Sequence, residues 1–444
     1  MSVRNNLPLC PSSSVASASS NVRVYEITVI TPLFGGGVST RVNDSSFPIR
    51  STSIRGQLQF WWRATVGAQY ATKLELRKAQ SAIWGDTSQA SRVQVRVDGV
   101  QADEPKPCAR FETDHKNPGK FRSMPTWNDP FQNSTLPYAL FPFQGQLANT
   151  RQQIDVEPAS CIHNAKFRLS ITCSKGINFA TQVEPAIWAW VNFGGLGSRT
   201  RRGCGSLFCK TLAPQNVDEL NKAWQQFMPD LFPQREWPTM AGTILTDRDH
   251  AMATSAWDRV IDRFRHFRQG LGMGRNHGQL HNRPGRSRYP EPEAIRTVLW
   301  DEKKPWSHDR LEHIPNDAFP RAELGLPIVF HFQGQDEPPD TVLYPNKNSV
   351  GENRERMASP LILKPLVLHN GKSVPLILRL QTAALTGVDL RHGETSLNLP
   401  PTTQISDPRL ANYTDSPLRA SPSGSAIEAF LALARTEGFT EVTR

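Results

Sequence analysis

Residues 165–174, AKFRLSITCS, alternate apolar and polar side chains with the two-residue period of a β-strand. The apolar positions are Phe167, Leu169, Ile171 and Cys173. An amphipathic helix has a period of 3.6 residues, so this pattern predicts a strand with one buried face. The 444 residues also include 35 prolines and 29 glycines, which indicates many loops and argues against a helical bundle or a coiled coil.

Other elements of the first 210 residues alternate in type. Strands are predicted at 22–34, 92–97 and 207–212, because β-branched and aromatic residues cluster there. Helices are predicted at 53–66, with Ser53 or Thr52 as N-cap, and at 183–193, where apolar residues recur at helical spacing. This order predicts an α+β sandwich.

The second half is predicted to repeat this mixture. Helices are expected at 215–228, 250–268 and 424–435, and a strand at 327–332. A hairpin over 361–380 is indicated by the Asn370-Gly371 pair, which suits a tight turn. Pro365 and Pro375 would place its strands near a sheet edge.

Two segments show neither the two-residue period of a strand nor the 3.6-residue period of a helix. Residues 1–21 are Ser-rich and hold few large apolar groups, so we expect a disordered tail. Residues 101–150 are rich in proline and polar groups and are expected to form an insertion or long loop.

Charge, hydrophobicity and cysteine content indicate in which compartment the protein works and which kind of partner it binds. Lys and Arg outnumber Asp and Glu by 51 to 41, and the net charge of +10 makes an anionic polymer a candidate partner. Apolar runs fall short of the roughly 20 residues that cross a bilayer, and the start does not resemble a secretory signal. The six cysteines are too sparse for a disulfide framework. We therefore expect a soluble cytoplasmic protein without membrane association.

The segment FGGLGSRTRRGCGSL, residues 193–207, is the strongest candidate for an anion-binding loop. Its glycines permit positive φ and close backbone approach, so that main-chain N–H groups can face phosphates while the arginines neutralise charge. An alternative is that the arginines only complement the negative end of the preceding helix. A P-loop or a dinucleotide fingerprint is absent, so no cofactor is expected.

A second basic segment, residues 263–288, holds seven arginines and three histidines without a carboxylate. Phe264, Phe267 and Tyr289 lie among or beside these residues, which is a pattern that suits phosphate contacts combined with base stacking. A solvated basic face is the alternative.

Catalytic and metal sites are less well supported. Asp258 and Asp262 are four residues apart, but neighbouring arginines favour surface ion pairs. His266, His277 and His281 lack an identifiable catalytic partner, and the HGQLH spacing lacks the glutamate of a zinc motif. We expect neither a metal site nor a catalytic site.

Several motifs carry a family resemblance. The pattern Gly195 to Gly205 resembles the glycine-rich loop of the RAMP superfamily of CRISPR proteins. The segments YEITVITPLFGGG, PIRSTSIRGQLQFWWRA, GRSRYPEPEAIR, LGLPIVFHF and RMASPLILKPL occur in one order and resemble the first subunits of type III-B Cmr effector complexes.

The resemblance implies two tandem ferredoxin-like, RRM-related domains with loop insertions, at 22–212 and 213–444. It also implies a non-catalytic subunit that binds guide RNA and target RNA with other Cmr subunits and helps capture the target near the guide 3′ region. The positions that it assigns to RNA are Arg55, Gly195, Gly197, Arg199, Arg201, Arg202, Gly203, Gly205, Arg286 and Arg288. Alternatives are a metal-independent endonuclease that matures guide RNA, using a loop histidine, and a structural adaptor for acidic subunits.

Overall fold

Two four-stranded antiparallel sheets form the framework of the chain. The computed structural model describes residues 21–228, 233–277, 286–300, 311–332, 336–346 and 355–442. The predicted disordered tail therefore lies outside the described residues, except for its last position.

The α-helices are α1 (Ser51–Ala64), α2 (Lys73–Trp84), α3 (Leu136–Leu140), α4 (Phe179–Gln182), α5 (Glu184–Phe193), α6 (Val217–Phe227), α7 (Ala253–Gln269), α8 (Glu291–Val298), α9 (Arg409–Asn412) and α10 (Ala426–Thr436). The strands are β1 (Asn21–Val29), β2 (Leu33–Phe34), β3 (Val93–Ala102), β4 (Lys106–Pro107), β5 (Ala109–Arg110), β6 (Thr126–Trp127), β7 (Gln146–Leu147), β8 (Ile154–Val156), β9 (Ser160–Ile162), β10 (Ala165–Cys173), β11 (Leu207–Phe208), β12 (Thr239–Thr246), β13 (Ile328–Phe330), β14 (Thr341–Pro345), β15 (Leu361–Val367), β16 (Ser373–Gln381), β17 (Val388–His392), β18 (Thr395–Leu397) and β19 (Thr440–Glu441).

The two sheets share one topology. The first has the order β11-β1-β10-β3, with α1 between β1 and β3 in the chain and α5 between β10 and β11. The second has the order β15-β16-β12-β19, with α7 after β12 and α10 before β19. In both, the strand that comes first in the chain lies between the third and the fourth.

These elements pack in four layers. The buried face of the first sheet covers α1 and α5, and the other side of that helix pair packs against the second sheet. The opposite face of the second sheet packs against α7 and α10. Because both of its faces are covered, every residue of β15 is buried, including Lys364.

A third antiparallel sheet, β13-β14-β17-β18, packs with α8 around a smaller core. The predicted irregular segment 101–150 contains short strands and α3, and Phe131, Leu136 and Leu140 are fully buried in the core beside α7. The segment is thus an integral part of the packing.

The α+β class and most predicted elements are confirmed, including the Asn370-Gly371 turn, where Gly371 has φ +84°. The predicted N-cap of α1 is wrong, because the helix begins at Ser51 with Arg50 as N-cap. β15 is an edge strand as Pro365 predicts, but β16 is internal and Pro375 lies opposite Pro365. α2, α8, β12, β14, β17 and β18 were not predicted.

Candidate nucleic-acid interface

The glycine loop, residues 193–207, runs from the end of α5 into β11. Several of its N–H groups donate to carbonyl oxygens of the protein itself: Leu196 to Gly205 (2.9 Å), Ser198 to Phe34 (2.8 Å) and Gly205 to Pro32 (3.0 Å). The prediction that the loop N–H groups face a bound phosphate is wrong for these positions. At these positions the loop backbone is engaged within the protein and provides no main-chain donor for a ligand.

The loop glycines allow close contacts within the protein. A Cβ atom on Gly205 (φ +60°) would lie 2.0 Å from the Leu196 carbonyl oxygen, and one on Gly203 (φ +89°) would lie 2.3 Å from Trp257 Nε1. Cβ atoms on Gly195 and Gly197 would be similarly close to backbone oxygens. Positive φ and close approach are confirmed at Gly197, Gly203 and Gly205, but the approaching groups belong to the chain.

Arg201 and Arg202 fasten the loop to the second sheet. Arg201 donates to the Ser359 carbonyl, and Arg202 Nη1 donates to the Leu361 carbonyl at 2.9 Å. The Arg202 guanidinium carbon lies 4.9 Å from the centre of the Phe264 ring. Burial lowers the pKa of both arginines. Both side chains therefore have structural partners, and their predicted contact with RNA stays a prediction.

Arg199 differs from these neighbours. It is half-buried, its φ is +56°, and its Nε atom is buried without a hydrogen-bond partner. Arg268 on α7 has a buried Nε in the same condition, and its guanidinium carbon lies 5.7 Å from the Phe264 ring centre. Across the described part of the chain, no hydrogen bond or ion pair engages the guanidinium of either residue.

Arg199, Arg201, Arg202 and Arg268 form what we call the arginine cluster. After burial, the charges of Arg199 and Arg268 are the next causes that lower the pKa of Arg202. Within the described ranges no carboxylate pairs with a member of the cluster, whereas Arg263 and Arg265 on the same helix pair with Asp262 at 2.7 and 2.9 Å. The cluster is thus a concentration of uncompensated positive charge, which favours an anion.

Arg55 makes contacts that are separate from those of the arginine cluster. It projects from α1 and donates to the Trp84 carbonyl. Beside it, an open groove of about 500 Å³ lies between the first turn of α1 and the ends of β3 and β10. Arg92 also lines the groove and donates to the Lys175 carbonyl at 2.7 Å.

The GRSR arginines are held in internal networks. Arg286 Nη2 lies 2.7 Å from Glu293 Oε1, which also accepts from Arg296 at 2.8 Å, and all three side chains are at least nine-tenths buried. Arg288 donates to Asn276 Oδ1 (2.9 Å) and to the Gly272 carbonyl (2.6 Å). This motif joins the segment after α7 to α8, and its predicted role in RNA binding stays a prediction.

The prediction that aromatic rings of the second basic segment form a surface for base stacking is wrong. Phe264 is 2% exposed, and Phe267 and Tyr289 are fully buried in the core. These rings pack against the protein interior, because Phe264 and Phe267 lie on the core face of α7 and Tyr289 lies just before α8, so they cannot stack on bases. Residues 278–285 of the segment lie outside the described residues.

The candidate carboxylates are held by separate partners. Asp258 accepts hydrogen bonds from Thr135 N (2.7 Å) and Thr135 Oγ1 (2.6 Å), and Asp262 pairs with arginines of its own helix. His281 lies outside the described residues, so the His277–His281 spacing has no structural description. No group of three or more His, Cys, Asp or Glu side chains able to hold a metal occurs in the part of the chain that the structure describes.

The open face of the first sheet is polar and carries both signs of charge. Arg168 pairs with Glu26 across β10 and β1 at 3.0 Å, and Arg96 pairs with Asp98 on β3 at 2.9 Å. Phe208, opposite Thr28, adds one half-buried ring near the edge of this face. The face therefore provides little for base stacking.

Sequence reasoning missed Tyr138 and Lys364 at this site, and it did not single out Arg268 within the second basic segment. Tyr138 on α3 has a buried hydroxyl without a partner, and its ring centre lies 6.4 Å from that of Phe264. Lys364 donates from within β15 to the carbonyl oxygen of Gly194, the residue that follows α5. A lysine inside an otherwise apolar strand was a visible indication, whereas nothing in the sequence joins Tyr138 to Arg268.

The sequence profile of the RAMP superfamily matches residues 26–208, from β1 through β11. Residues 26–208 therefore resemble a RAMP superfamily domain. The expected resemblance is confirmed, and the glycine loop lies at the C-terminal end of the matched region.

Curated relatives agree with that assignment. The chain is 27% identical over 190 residues to the CRISPR system Cmr subunit Cmr1-2 of Pyrococcus furiosus, covering 41% of this chain and 92% of that protein. It is 28% identical over 205 residues to Cmr1-1 of the same organism, covering 45% of this chain and 51% of that protein.

The chain also resembles two solved structures of Cmr proteins in its overall arrangement. The crystal structure of apo Cmr1 from Pyrococcus furiosus aligns with a TM-score of 0.48 at 16% identity, over 95% of this chain and 98% of that chain. A cryo-EM structure of type III-B Cmr-beta bound to cognate target RNA aligns with a TM-score of 0.41 at 11% identity, over 80% of this chain and 94% of that chain. Among the described helices, none is long and apolar enough to cross a bilayer.

Proposed function

We propose that the chain is a non-catalytic RNA-binding subunit of a type III-B Cmr effector complex. In this proposal it works in the cytoplasm with guide RNA, target RNA and other Cmr subunits, and it helps capture target RNA near the guide 3′ region. The similarity to two Cmr1 subunits supports the proposal that the chain is part of a Cmr complex. The observation that carries RNA binding is the arginine cluster, because guanidinium groups without carboxylate partners suit phosphate oxygens.

The proposal includes two tandem ferredoxin-like domains, at 22–212 and 213–444. The shared strand–helix–strand–strand–helix–strand order of the two sheets supports it, as does their common strand arrangement. In an RRM-type domain, bases stack on the open face of the sheet. The second sheet is covered on both faces and the first lacks a central aromatic platform, so binding is assigned to loop and helix side chains.

The arginines divide into two groups in this account. Arg199 supplies charge to RNA, because its guanidinium has no partner among the described residues. Arg201 and Arg202 hold the loop against β15, and Arg286 and Arg288 hold the segment that precedes α8. Base identity is then read by guide pairing and not by this chain.

The test uses an effector complex reconstituted with the wild-type chain, with Arg199→Ala, or with Arg265→Ala as control. Arg265 is exposed and pairs with Asp262 on the surface of α7. We expect Arg199→Ala to weaken target RNA binding about tenfold while assembly is retained, because a charge-assisted contact contributes about 1.5–3 kcal/mol. Equal target affinity of the two variants and the wild type would contradict the proposed function of the cluster.

A further inference from the structure

Three buried donor atoms without hydrogen-bond partners lie on α3, the glycine loop and α7, and the three side chains are all close enough to act electrostatically on Arg202. They are Tyr138 Oη, Arg199 Nε and Arg268 Nε. The ring centre of Tyr138 and the guanidinium carbon of Arg268 lie 6.4 and 5.7 Å from the centre of Phe264. A buried donor without an acceptor costs free energy, so three of them in one place indicate a group that the protein binds.

The charge of the same region points to an anion. Arg199 and Arg268 are each close enough for their charge to act on Arg202, and none of the three has a carboxylate partner among the described residues. Arg202 is already engaged with the Leu361 carbonyl, which leaves Arg199 and Arg268 as the available cations. Two guanidinium groups and a phenol are all donors, which is the set that phosphate oxygens accept from.

Tyr138 is held in place by a contact between the insertion and α7. Asp258 on α7 accepts from Thr135 N and Thr135 Oγ1, at 2.7 and 2.6 Å, immediately before α3 begins. Because this bond fixes α3 against α7, it keeps Tyr138 beside Phe264, the ring that Arg202 and Arg268 also contact. The carboxylate that resembled a catalytic candidate is therefore a positioning residue.

We propose that Tyr138, Arg199 and Arg268 form a site for a single phosphate group. The site assigns a function to the segment 101–150, which supplies the phenol. All three side chains are partly exposed to solvent, whereas the three unpartnered donor atoms are buried, so a phosphate reaches these atoms when the side chains turn outward. The inference deepens the proposed function when the phosphate belongs to RNA, either as a backbone phosphodiester or as a terminal phosphomonoester.

The test compares the full-length wild type with Tyr138→Phe and Arg268→Met, which keep the ring and most of the packing on Phe264. Arg265→Met, on the same helix, is the control. The first probe is inorganic phosphate, measured as the shift in melting temperature against chloride at equal ionic strength. We expect an increase of a few degrees that both site variants lose and the control keeps, because a ligand of the folded state stabilises it.

The second probe is single-stranded RNA of mixed sequence, about 15 nucleotides long, with and without a terminal phosphate. We expect Tyr138→Phe and Arg268→Met each to weaken binding about five- to tenfold, by the loss of one charge-assisted hydrogen bond. An equal loss on both RNAs assigns the site to the backbone, and a loss confined to the phosphorylated RNA assigns it to the terminus.

The two proposals fail in different ways. Wild-type responses to both probes in Tyr138→Phe and Arg268→Met would overturn the site while RNA binding stands. A chain that does not bind RNA, but whose stabilisation by phosphate disappears in both variants, would keep the site and overturn the RNA role.

Discussion

Lys364 Nζ lies 2.8 Å from the carbonyl oxygen of Gly194 and donates a hydrogen bond to it. Lys364 is fully buried in β15, and Gly194 is the first residue after α5. The negative end of the α5 dipole favours an ammonium group at this point, whereas burial opposes its charge. The bond joins the second sheet to the start of the glycine loop, so the two halves of the chain meet at the loop.

Stability should depend on pH through Lys364. Burial lowers the pKa of its ammonium group to about 7, whereas an unfolded lysine has a pKa near 10.4. Between these values the unfolded chain binds the extra proton, so this group makes the free energy of unfolding rise with pH from about 7 to 10. Lys364→Met should remove that increase and stabilise the chain at pH 7 by about 1–3 kcal/mol. Urea unfolding at pH 7 and pH 9 measures both effects, and identical pH profiles for wild type and variant would contradict them.

Gly205→Ala should destabilise the protein by more than about 3 kcal/mol, because the added Cβ would overlap the Leu196 carbonyl oxygen. Gly119→Ala is the matched control, since Gly119 also has positive φ, +80°, but nothing within 4 Å of the added atom. The control should lose only about 1 kcal/mol from backbone strain. Chemical denaturation measures both values, and an equal loss would show that the loop adjusts around the added atom.

Arg286→Ala should destabilise the fold by about 2–3 kcal/mol, because it removes one partner of a buried ion pair while Arg296 still supports Glu293. Arg275→Ala changes an exposed arginine nearby and should stay within about 0.5 kcal/mol of the wild type. At a temperature where both variants are folded, RNA affinity should be similar in each. A stable Arg286→Ala protein that binds RNA weakly would instead return this arginine to the interface.

The isolated chain should leave labelled RNA intact with or without a divalent metal ion, because Asp258 and Asp262 already have structural partners. Denaturing gels with the wild type and with His266, His277 and His281 each changed to Ala test this. Cleavage that disappears in one histidine variant would support the alternative endonuclease, and cleavage unchanged in all three would indicate contamination.

The sequence predicts what depends on local pattern. The alternation of apolar and polar residues over 165–173 predicts β10, because it indicates a strand with one buried face. The Asn370-Gly371 pair predicts the turn between β15 and β16, because it suits the positive φ found at Gly371. β12 was missed since it is covered on both faces and interrupted by Gly242, where a Cβ would lie 1.8 Å from the Arg379 carbonyl oxygen. Alternation disappears in a strand of this kind.

In the candidate site, too, some features follow from local sequence and others depend on tertiary packing. The glycines and arginines of 193–207 stand out by composition, but which arginines turn inward depends on β15 and on Phe264, more than 50 residues away in the chain. The ion pairs of Arg286 and the burial of Phe267 likewise depend on tertiary packing. Sequence alone therefore located the basic segments and could not separate structural arginines from unpartnered ones.

The central claim is that the chain binds RNA through phosphate contacts, and the most direct measurement is the salt dependence of its affinity for single-stranded RNA. With about four to six phosphates contacted, the plot of log K against log salt concentration should have a slope of about −3 to −4, with similar affinity for unrelated sequences. Arg199→Ala should make the slope shallower by roughly 0.7. A flat salt response, or strong preference for one short sequence, would contradict the account.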